Sequence, residues 1–240
     1  MAKSKKLTLI SNIMLIIVVG FTLSMAFVLK ENTNAVAADA QMANGAYYSG
    51  NTNSNKVSLM INVYWGTEYL VDMLKIFENH NVKTTFFVGG SWAAENPNIL
   101  KQIKNSGHEI ASHGYYHKDH ATLDYSRNKE EIEYCHKIVK EYTGIDMNLF
   151  APPSGSYNKT TIDVATSLGY KTIMWTRDTI DWRDKDTNLI YSRAIKDIKG
   201  GDLILMHPTQ NTRDALDRIL TYIENNNLVA TTVTDALNGV

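Results

Sequence analysis

The stretch IASHGYYHKDH, residues 110–120, combines a strand end with a possible metal-binding spacing. Its short apolar beginning predicts a β-strand that ends near His113, and His117 follows four residues later. Neutral imidazoles bind zinc and similar divalent ions, and a helical turn after the strand would bring both rings to one side. Two histidines often fall at this spacing by chance, so the interpretation depends on what other strand ends supply.

Short apolar runs alternate with helical segments on both sides of this stretch. Runs typical of strands lie at 57–65, 82–90, 108–113, 148–153, 171–176, 202–207 and 228–233. Segments with helical spacing lie at 68–81, 97–107, 126–144, 158–169, 188–201 and 212–227. This alternation predicts a parallel sheet, and the continuous apolar runs predict that both of its faces are buried. We therefore predict an α/β fold, a distorted parallel (β/α) barrel of about seven βα units with its chemistry at the carboxyl ends of the strands.

The first residues predict a membrane or export segment. MAKSKK is positively charged, and residues 7–29 then carry no charge. That length is sufficient for a helix across a bilayer, which needs about 20 residues. Ala35-Val36-Ala37 is a possible cleavage site, so residues 1–29 are predicted to be either a transmembrane anchor or a signal peptide. In both cases the positive-inside rule places the C-terminal part outside the cytoplasm.

Composition limits the remaining possibilities. The formal net charge of −1 over 240 residues shows no general nucleic-acid-binding character, so no nucleic-acid partner is expected. Cys135 is the single cysteine and lies in a predicted amphipathic helix, where we interpret it as a small buried residue. Residues 30–55 are rich in Asn, Ala, Ser and Gly and predict a linker before a folded domain at 56–240.

Two later strand ends carry candidate catalytic groups. His207 ends the run LILMH, where it could donate a proton to a leaving amine or be a hydrogen-bonded core histidine. Asp178 and Asp181 lie in TRDTIDW, and either could orient the imidazole as an acid orients a catalytic histidine. Trp182 offers a ring face to a sugar, although a capped loop with a core tryptophan is the alternative.

The stretch PPSGSYN, residues 152–158, predicts a rigid turn into a helix. Pro153 would stiffen the turn, Gly155 would permit close approach of a ligand to the backbone, and Tyr157 would offer a polar contact. We interpret these three residues as substrate-binding candidates. A plain turn without a ligand contact is an equally good interpretation.

Together these stretches resemble the polysaccharide deacetylase family, also called the NodB-homology domain or carbohydrate esterase family 4. VKTTFFVGG, GHEIASHGYYHKDH, APPSGSYN, WTRDTIDW and LILMHP occur in the family's order and spacing, over residues 56–238. The resemblance implies a distorted barrel that removes N-acetyl groups from chitin-like or peptidoglycan sugars. It also implies a divalent metal, most often zinc, held by one aspartate and two histidines. A neighbouring aspartate is the general base in that family, and a late histidine is the general acid.

The first strand departs from the family. His113 and His117 match the family's metal ligands, and His207 matches its general acid. The family's first motif resembles Thr-Phe-Asp-Asp-Gly, whereas this chain has NVYWG at 62–66, with Tyr64 and Trp65 in place of both aspartates. Without a carboxylate, a site built on two histidines holds a metal weakly or not at all. Tyrosine, with a pKa of about 10, is also a poor general base at neutral pH.

Glu68 is a candidate replacement for the missing metal-binding carboxylate. It follows the altered motif and could bind the metal, or it could simply favour the start of a helix. Ala151 stands where the family has an arginine. The aromatic rings of Tyr64, Trp65 and Trp182 suit stacking against sugar rings. The stretch NVYWGTEY also resembles a sporulation-associated subgroup of the family.

These observations predict an extracytoplasmic, membrane-anchored or secreted domain that acts on N-acetylated cell-wall glycans. Its hydrolysis of the C–N amide bond is expected to be impaired by the loss of both aspartates. One alternative is a non-catalytic glycan-binding protein of the cell envelope. Another is a structural envelope protein of the sporulating cell.

Overall fold

The computed structural model describes residues 40–239. The predicted anchor or signal peptide at 1–29 lies outside these residues. Within the described part of the chain, no helix has both the length and the apolar character needed to cross a membrane.

One sheet organises the described residues. Its ten strands are β1 (Ala40–Ala43), β2 (Ala46–Asn51), β3 (Lys56–Val63), β4 (Thr85–Val88), β5 (Glu109–Ser112), β6 (Leu149–Phe150), β7 (Lys171–Ile173), β8 (Arg177–Asp178), β9 (Leu203–Met206) and β10 (Val229–Thr231). The strand order is β1-β2-β7-β6-β5-β4-β3-β9-β8, and β10 also pairs with β3. Only the β1–β2 pair is antiparallel among the pairs described.

Helices connect and cover these strands. Those in the described residues are α1 (Thr67–Asn79), α2 (Gly90–Glu95), α3 (Pro97–Asn105), α4 (Tyr125–Thr143), α5 (Lys159–Ser167), α6 (Thr187–Ile195), α7 (Gln210–Asn225) and α8 (Val233–Asn238). Short 3₁₀ turns lie at His120–Thr122 and Pro153–Gly155. The mostly parallel, curled sheet with its helices confirms the predicted distorted (β/α) barrel.

Strand β3 lies in the middle of the sheet and explains the continuous apolar runs. Ile61 pairs with Phe86 of β4 on one side and with Met206 of β9 on the other. The neighbouring residue Met60 belongs to a second buried cluster, because successive side chains of a strand point to opposite faces. Both faces of the sheet are therefore covered, as the sequence predicts.

The prediction of a linker over 30–55 is wrong for the part the structure describes. Residues 40–51 form the hairpin β1–β2, and β2 pairs with β7 through Tyr47 and Ile173. The turn is Asn44-Gly45, and both residues have positive φ, which suits a tight hairpin. β1 lies at the edge of the sheet, and β2 contains small and polar residues, so neither strand has apolar periodicity and the Asn-Gly pair was the available signal. The folded unit therefore begins before residue 56.

Cys135 is fully buried in α4, in agreement with its interpretation as a small core residue. Burial raises the pKa of its thiol to about 11, so the thiolate is disfavoured at neutral pH.

Candidate functional site

The carboxyl ends of the central strands surround a cavity of about 420 Å³. Such a volume is in the range of small-ligand sites. It is lined by Asn62, Tyr64, Trp65, His113, His117, Ser154, Trp175, Asp178, Trp182, Leu205 and His207. The stretches picked out from the sequence therefore converge on one place.

The two predicted metal-binding histidines lie side by side. The rings of His113 and His117 have centroids 5.0 Å apart and planes at 72°. His113 is buried, and its Nδ1 donates to the carbonyl oxygen of Ala151 over 2.7 Å, which leaves Nε2 as the acceptor nitrogen. Burial lowers the pKa of His113 well below its usual value and also lowers that of His117, so both rings are neutral at neutral pH.

A buried carboxylate holds the loop between these histidines. Glu131 of α4 accepts hydrogen bonds from the backbone N–H groups of Tyr115 at 2.8 Å and Tyr116 at 2.7 Å. The sequence analysis missed this residue. Its position in the sequence could have indicated burial, because Glu131 lies one helical turn before the buried Cys135 and therefore on the same face of the helix.

His207 is oriented by Asp181, one of the two aspartates that the sequence left as candidates. Its Nδ1 donates to Asp181 Oδ1 over 2.8 Å, and its backbone N–H donates to Oδ2 over 2.6 Å. Thr212 also donates its hydroxyl to Oδ2 over 2.6 Å. The carboxylate is buried, so these contacts hold the imidazole firmly and leave its Nε2 for a ligand.

Asp178 has a different position from Asp181. It lines the cavity and is half-buried, and its Oδ1 accepts the backbone N–H of Ile180 over 2.7 Å. It makes no described contact with His207. Asp178 is therefore a carboxylate of the cavity wall, not the group that orients the imidazole.

The two aromatic residues that replace the family's aspartates pack against the imidazoles. The Trp65 ring stacks on His207 with centroids 5.7 Å apart and planes at 6°. The Tyr64 ring lies 5.0 Å from that of His117, and its hydroxyl accepts from Ser91 Oγ over 2.9 Å. Gly89 makes room for Tyr64, because a Cβ there would lie 2.3 Å from the Tyr64 ring.

The residues present do not fit the metal site that the resemblance implies. Within residues 40–239, no group of three or more His, Cys, Asp or Glu side chains is arranged to hold a metal ion. Glu68, the candidate substitute, is exposed in the first turn of α1 and does not line the cavity. Zinc sites in proteins normally use at least three protein ligands, whereas His113 and His117 supply two.

The structure places some of the predicted substrate-binding residues in the cavity wall and others outside it. Trp182 lines the cavity and is 56% exposed, so its ring is accessible to a ligand. Pro153 is buried and, like Gly155, is not among the lining residues. Gly155 makes room for Trp175, which does line the cavity, because a Cβ on Gly155 would lie 2.6 Å from the Trp175 ring.

Tyr157 lies in a separate groove. That groove is lined by Asn44, Gly45, Tyr157, Asn158, Lys159, Ile162 and Asp163. The hydroxyl of Tyr157 shares a 2.8 Å hydrogen bond with that of Tyr48, and burial, followed by that hydrogen bond, raises the pKa of Tyr157 to about 12. The structure does not bring Tyr157 to the histidine cavity.

The sequence analysis also missed four lining residues: Asn62, Ser154, Trp175 and Leu205. The buried Oδ1 of Asn62 has no hydrogen-bond partner among the described residues. No pattern marked these positions, because each lies within a run interpreted as a strand or a turn.

Three loop residues around the cavity have left-handed backbone conformations. His117 has φ 55°, Ser154 φ 56° and Ile180 φ 55°. This conformation is unfavourable for residues other than glycine, especially for a β-branched one such as Ile180. The surrounding packing therefore holds these loops in place.

Comparisons with known proteins show which proteins this chain resembles. The family described as polysaccharide deacetylase matches residues 49–173. The YlxY protein of Bacillus subtilis is 39% identical over 191 residues, which cover 80% of this chain and 60% of that protein. A peptidoglycan-N-acetylglucosamine deacetylase of Bacillus cereus is 30% identical over 182 residues, covering 74% of this chain and 66% of that one. This chain thus spans less than two thirds of the length of either relative.

Solved structures include a carbohydrate esterase family 4 pseudoenzyme from Bacillus anthracis. It is 34% identical, with a TM-score of 0.79, and the match covers 82% of this chain and 70% of that one. A mutant of that pseudoenzyme, described as having restored enzymatic activity, is 33% identical with the same TM-score, covering 82% of this chain and 72% of that one.

Proposed function

Since the chain belongs to the polysaccharide deacetylase family, we propose that it acts on N-acetylated cell-wall glycans through the histidine cavity, with its hydrolytic step strongly impaired. The observation that carries the proposal is the packing of Tyr64 and Trp65 on the imidazoles of His117 and His207. The cavity contains an oriented histidine, whereas the first strand lacks the carboxylates that the resemblance implies for hydrolysis.

The glycan ligand is supported by the walls of the cavity and by the relatives. The exposed ring of Trp182 can stack on the apolar face of a sugar. Relatives of this chain include proteins named peptidoglycan-N-acetylglucosamine deacetylase and peptidoglycan-N-acetylmuramic acid deacetylase. We propose peptidoglycan or a chitin-like N-acetylglucosamine polymer as the ligand.

Weak hydrolysis follows from the groups that remain. His207, held by Asp181, can donate a proton to a leaving amine. Tyr64 and Trp65 stand where the resemblance places the two aspartates, and a phenol and an indole do not replace a carboxylate as general base. Losing a general base costs about 10²–10⁴ in rate, before the loss of metal ligands is counted.

Non-catalytic glycan binding is a second candidate, favoured by one observation. The Trp65 ring covers the face of His207, the single imidazole held by a carboxylate in this cavity. The similar pseudoenzyme from Bacillus anthracis supports this candidate, and its mutant with restored activity supports the view that such a site can still be repaired. Residual acetate release that depends on His207 distinguishes the two candidates.

Binding and acetate release from N-acetylglucosamine oligomers test the proposed function. We expect the purified full-length protein to bind the oligomers in calorimetry and to release acetate at least about 10²–10⁴ times more slowly than the Bacillus cereus relative. Trp182→Ala should weaken binding, whereas the matched control Tyr134→Ala, an exposed ring outside the cavity, should not. Absence of binding, or acetate release at the relative's rate, would contradict the proposal.

We also propose an extracytoplasmic location, with residues 1–29 as a membrane anchor or a signal peptide. The uncharged run 7–29 and the lysines before it support this. We propose a role in the sporulating cell, which the stretch NVYWGTEY supports through its resemblance to a subgroup of the family. Protease accessibility of the C-terminal part on intact cells, with N-terminal sequencing of the isolated protein, tests the location.

A further inference from the structure

Aromatic rings form much of the cavity wall. Tyr64, Trp65, Trp175 and Trp182 all line it. The face of an aromatic ring carries partial negative charge and attracts cations, tryptophan most strongly. A wall of this kind suits a ligand that has both an apolar sugar face and a positive charge.

With neutral histidines, the residues that line the cavity carry a negative formal charge. Asp178 lines the cavity, and no lysine or arginine is among the lining residues. Arg183 lies beside the wall, with its guanidinium 5.8 Å from the centre of the Trp182 ring. It pairs with Asp184 through Nε–Oδ1 at 2.8 Å and Nη2–Oδ2 at 3.1 Å, and the same carboxylate also pairs with Arg193 at 2.7 Å.

The wall also has spare hydrogen-bond acceptors. Asn62 lines the cavity, and its buried Oδ1 has no partner among the described residues. One oxygen of Asp178 accepts from Ile180, and the other has no described hydrogen bond. Asn62 Oδ1 has almost no surface open to the cavity, whereas the second oxygen of the half-buried Asp178 can accept an N–H group that a ligand brings.

From these three features we propose that the cavity binds the protonated 2-amino group of a de-N-acetylated glycan in preference to the acetamido group. The ammonium group has three donors and a positive charge, whereas the acetamido group is neutral and has one N–H donor. The inference rests on the proposed function, because it takes the ligand to be a glycan and the site to be this cavity. The reaction that supplies the ligand is then an N-deacetylation of the polymer.

Calorimetric titration of the purified full-length protein with two matched probes tests the inference. The probes are β-1,4-linked tetramers of glucosamine and of N-acetylglucosamine, at pH 6 and at pH 9. We expect the glucosamine tetramer to bind about tenfold more tightly at pH 6, which is typical of one partly desolvated cation contact. The preference should fade at pH 9, where the amine loses its proton.

Titration of the protein itself does not imitate the expected loss of preference. The titratable groups that line the cavity are Asp178, Tyr64, His113, His117 and His207. Loss of a proton from any of these groups between pH 6 and pH 9 makes the wall more negative and so favours the cationic tetramer. Loss of the ligand's own proton acts in the opposite direction, so a preference that fades at pH 9 reports the ammonium group.

Two variants connect the preference to the cavity. Asp178→Asn keeps the oxygen that accepts from Ile180 but removes the charge, so the tenfold preference should fall to about threefold or less, with the aromatic wall left to attract the cation. The matched control Glu133→Gln removes the same charge from an exposed position of α4 and should leave the tenfold ratio unchanged.

Each outcome decides one of the two proposals. A preference for glucosamine that is reduced in Asp178→Asn supports the inference. Equal affinities in the wild-type protein, tighter binding of the acetylated tetramer, or a preference that is undiminished in Asp178→Asn would overturn it and leave glycan binding intact. Failure of both tetramers to bind would overturn the proposed function together with the inference.

Discussion

At the scale of single residues, the tip of β3 departs from the first motif that the resemblance implies. Tyr64 and Trp65 replace carboxylates at the tip of β3 and pack on imidazoles that are themselves still in place. Replacing the carboxylates weakens metal binding and proton abstraction, because these aromatic side chains supply neither a metal ligand nor a general base. The gain is apolar surface inside a cavity that still holds an oriented histidine.

Returning the carboxylates should therefore restore a metal site. The double substitution Tyr64→Asp with Trp65→Asp adds acids beside His113 and His117, and we expect zinc affinity to rise by about 100-fold or more. Isothermal titration with zinc measures the change. The same double variant carrying His113→Ala is the control and should show no gain. A folded double variant that binds zinc no better than the wild-type protein would show that the two imidazoles are not poised for a metal.

At the scale of elements, one histidine joins the end of α1 to α7. His80 makes hydrogen bonds of 3.0 Å through Nε2 to Asp217 and through Nδ1 to Glu224, both on α7. Burial alone would lower the pKa of His80, but the hydrogen bonds and charges of the two carboxylates outweigh it and raise the pKa above its usual value. The contact is therefore strongest when the ring is protonated.

This contact predicts a pH dependence of stability. Because the pKa of His80 is raised in the folded state, its contribution is fully present below the unfolded value of about 6.5 and is lost as pH rises through the folded pKa. His80→Gln should thus lower the free energy of unfolding more at pH 5.5 than at pH 8.5, as measured by urea denaturation. An equal loss at both pH values would mean that charge plays no part in the contact.

At the scale of the whole molecule, the hairpin β1–β2 extends the sheet beyond the strands that surround the cavity. It pairs with β7, and the backbone N–H of Gly50 donates to the carbonyl oxygen of Gly201 over 2.7 Å. Gly50 also lies against the backbone of Ala236 in α8, where a Cβ would be 2.5 Å from its carbonyl oxygen. The hairpin is thus an integral part of the folded unit.

Truncation at two points tests this role. A fragment that begins at residue 56 lacks the hairpin and exposes the edge of β7. A fragment that begins at residue 40 retains the hairpin, which covers that edge. We expect the shorter fragment to unfold about 4–8 °C lower, the shift typical of a loss of about 2 kcal/mol in a domain of this size. Thermal denaturation followed by circular dichroism compares them, and equal midpoints would show that the hairpin is dispensable.

Much of the architecture was predictable because it depends on local patterns. Continuous apolar runs separated by helical periodicity predict a buried parallel sheet, and β3, β4, β5 and β9 follow that prediction. The hairpin was missed because β1 is an edge strand and β2 contains small and polar residues, so neither has that pattern. His113, His117 and His207 were predictable as one site because the carboxyl ends of neighbouring parallel strands lie together.

The sequence by itself determined the family, the central strands, and the absence of both aspartates from the first motif. The tertiary structure alone decided that Asp181, not Asp178, holds His207, that Glu68 and Tyr157 lie away from the cavity, and that Asn62 lines it. The physical reason is that hydrogen-bond partners and cavity walls depend on side-chain directions across separate elements. The spacing of residues along the chain does not reveal those directions, because they are set only when the separate elements pack together in the folded sheet.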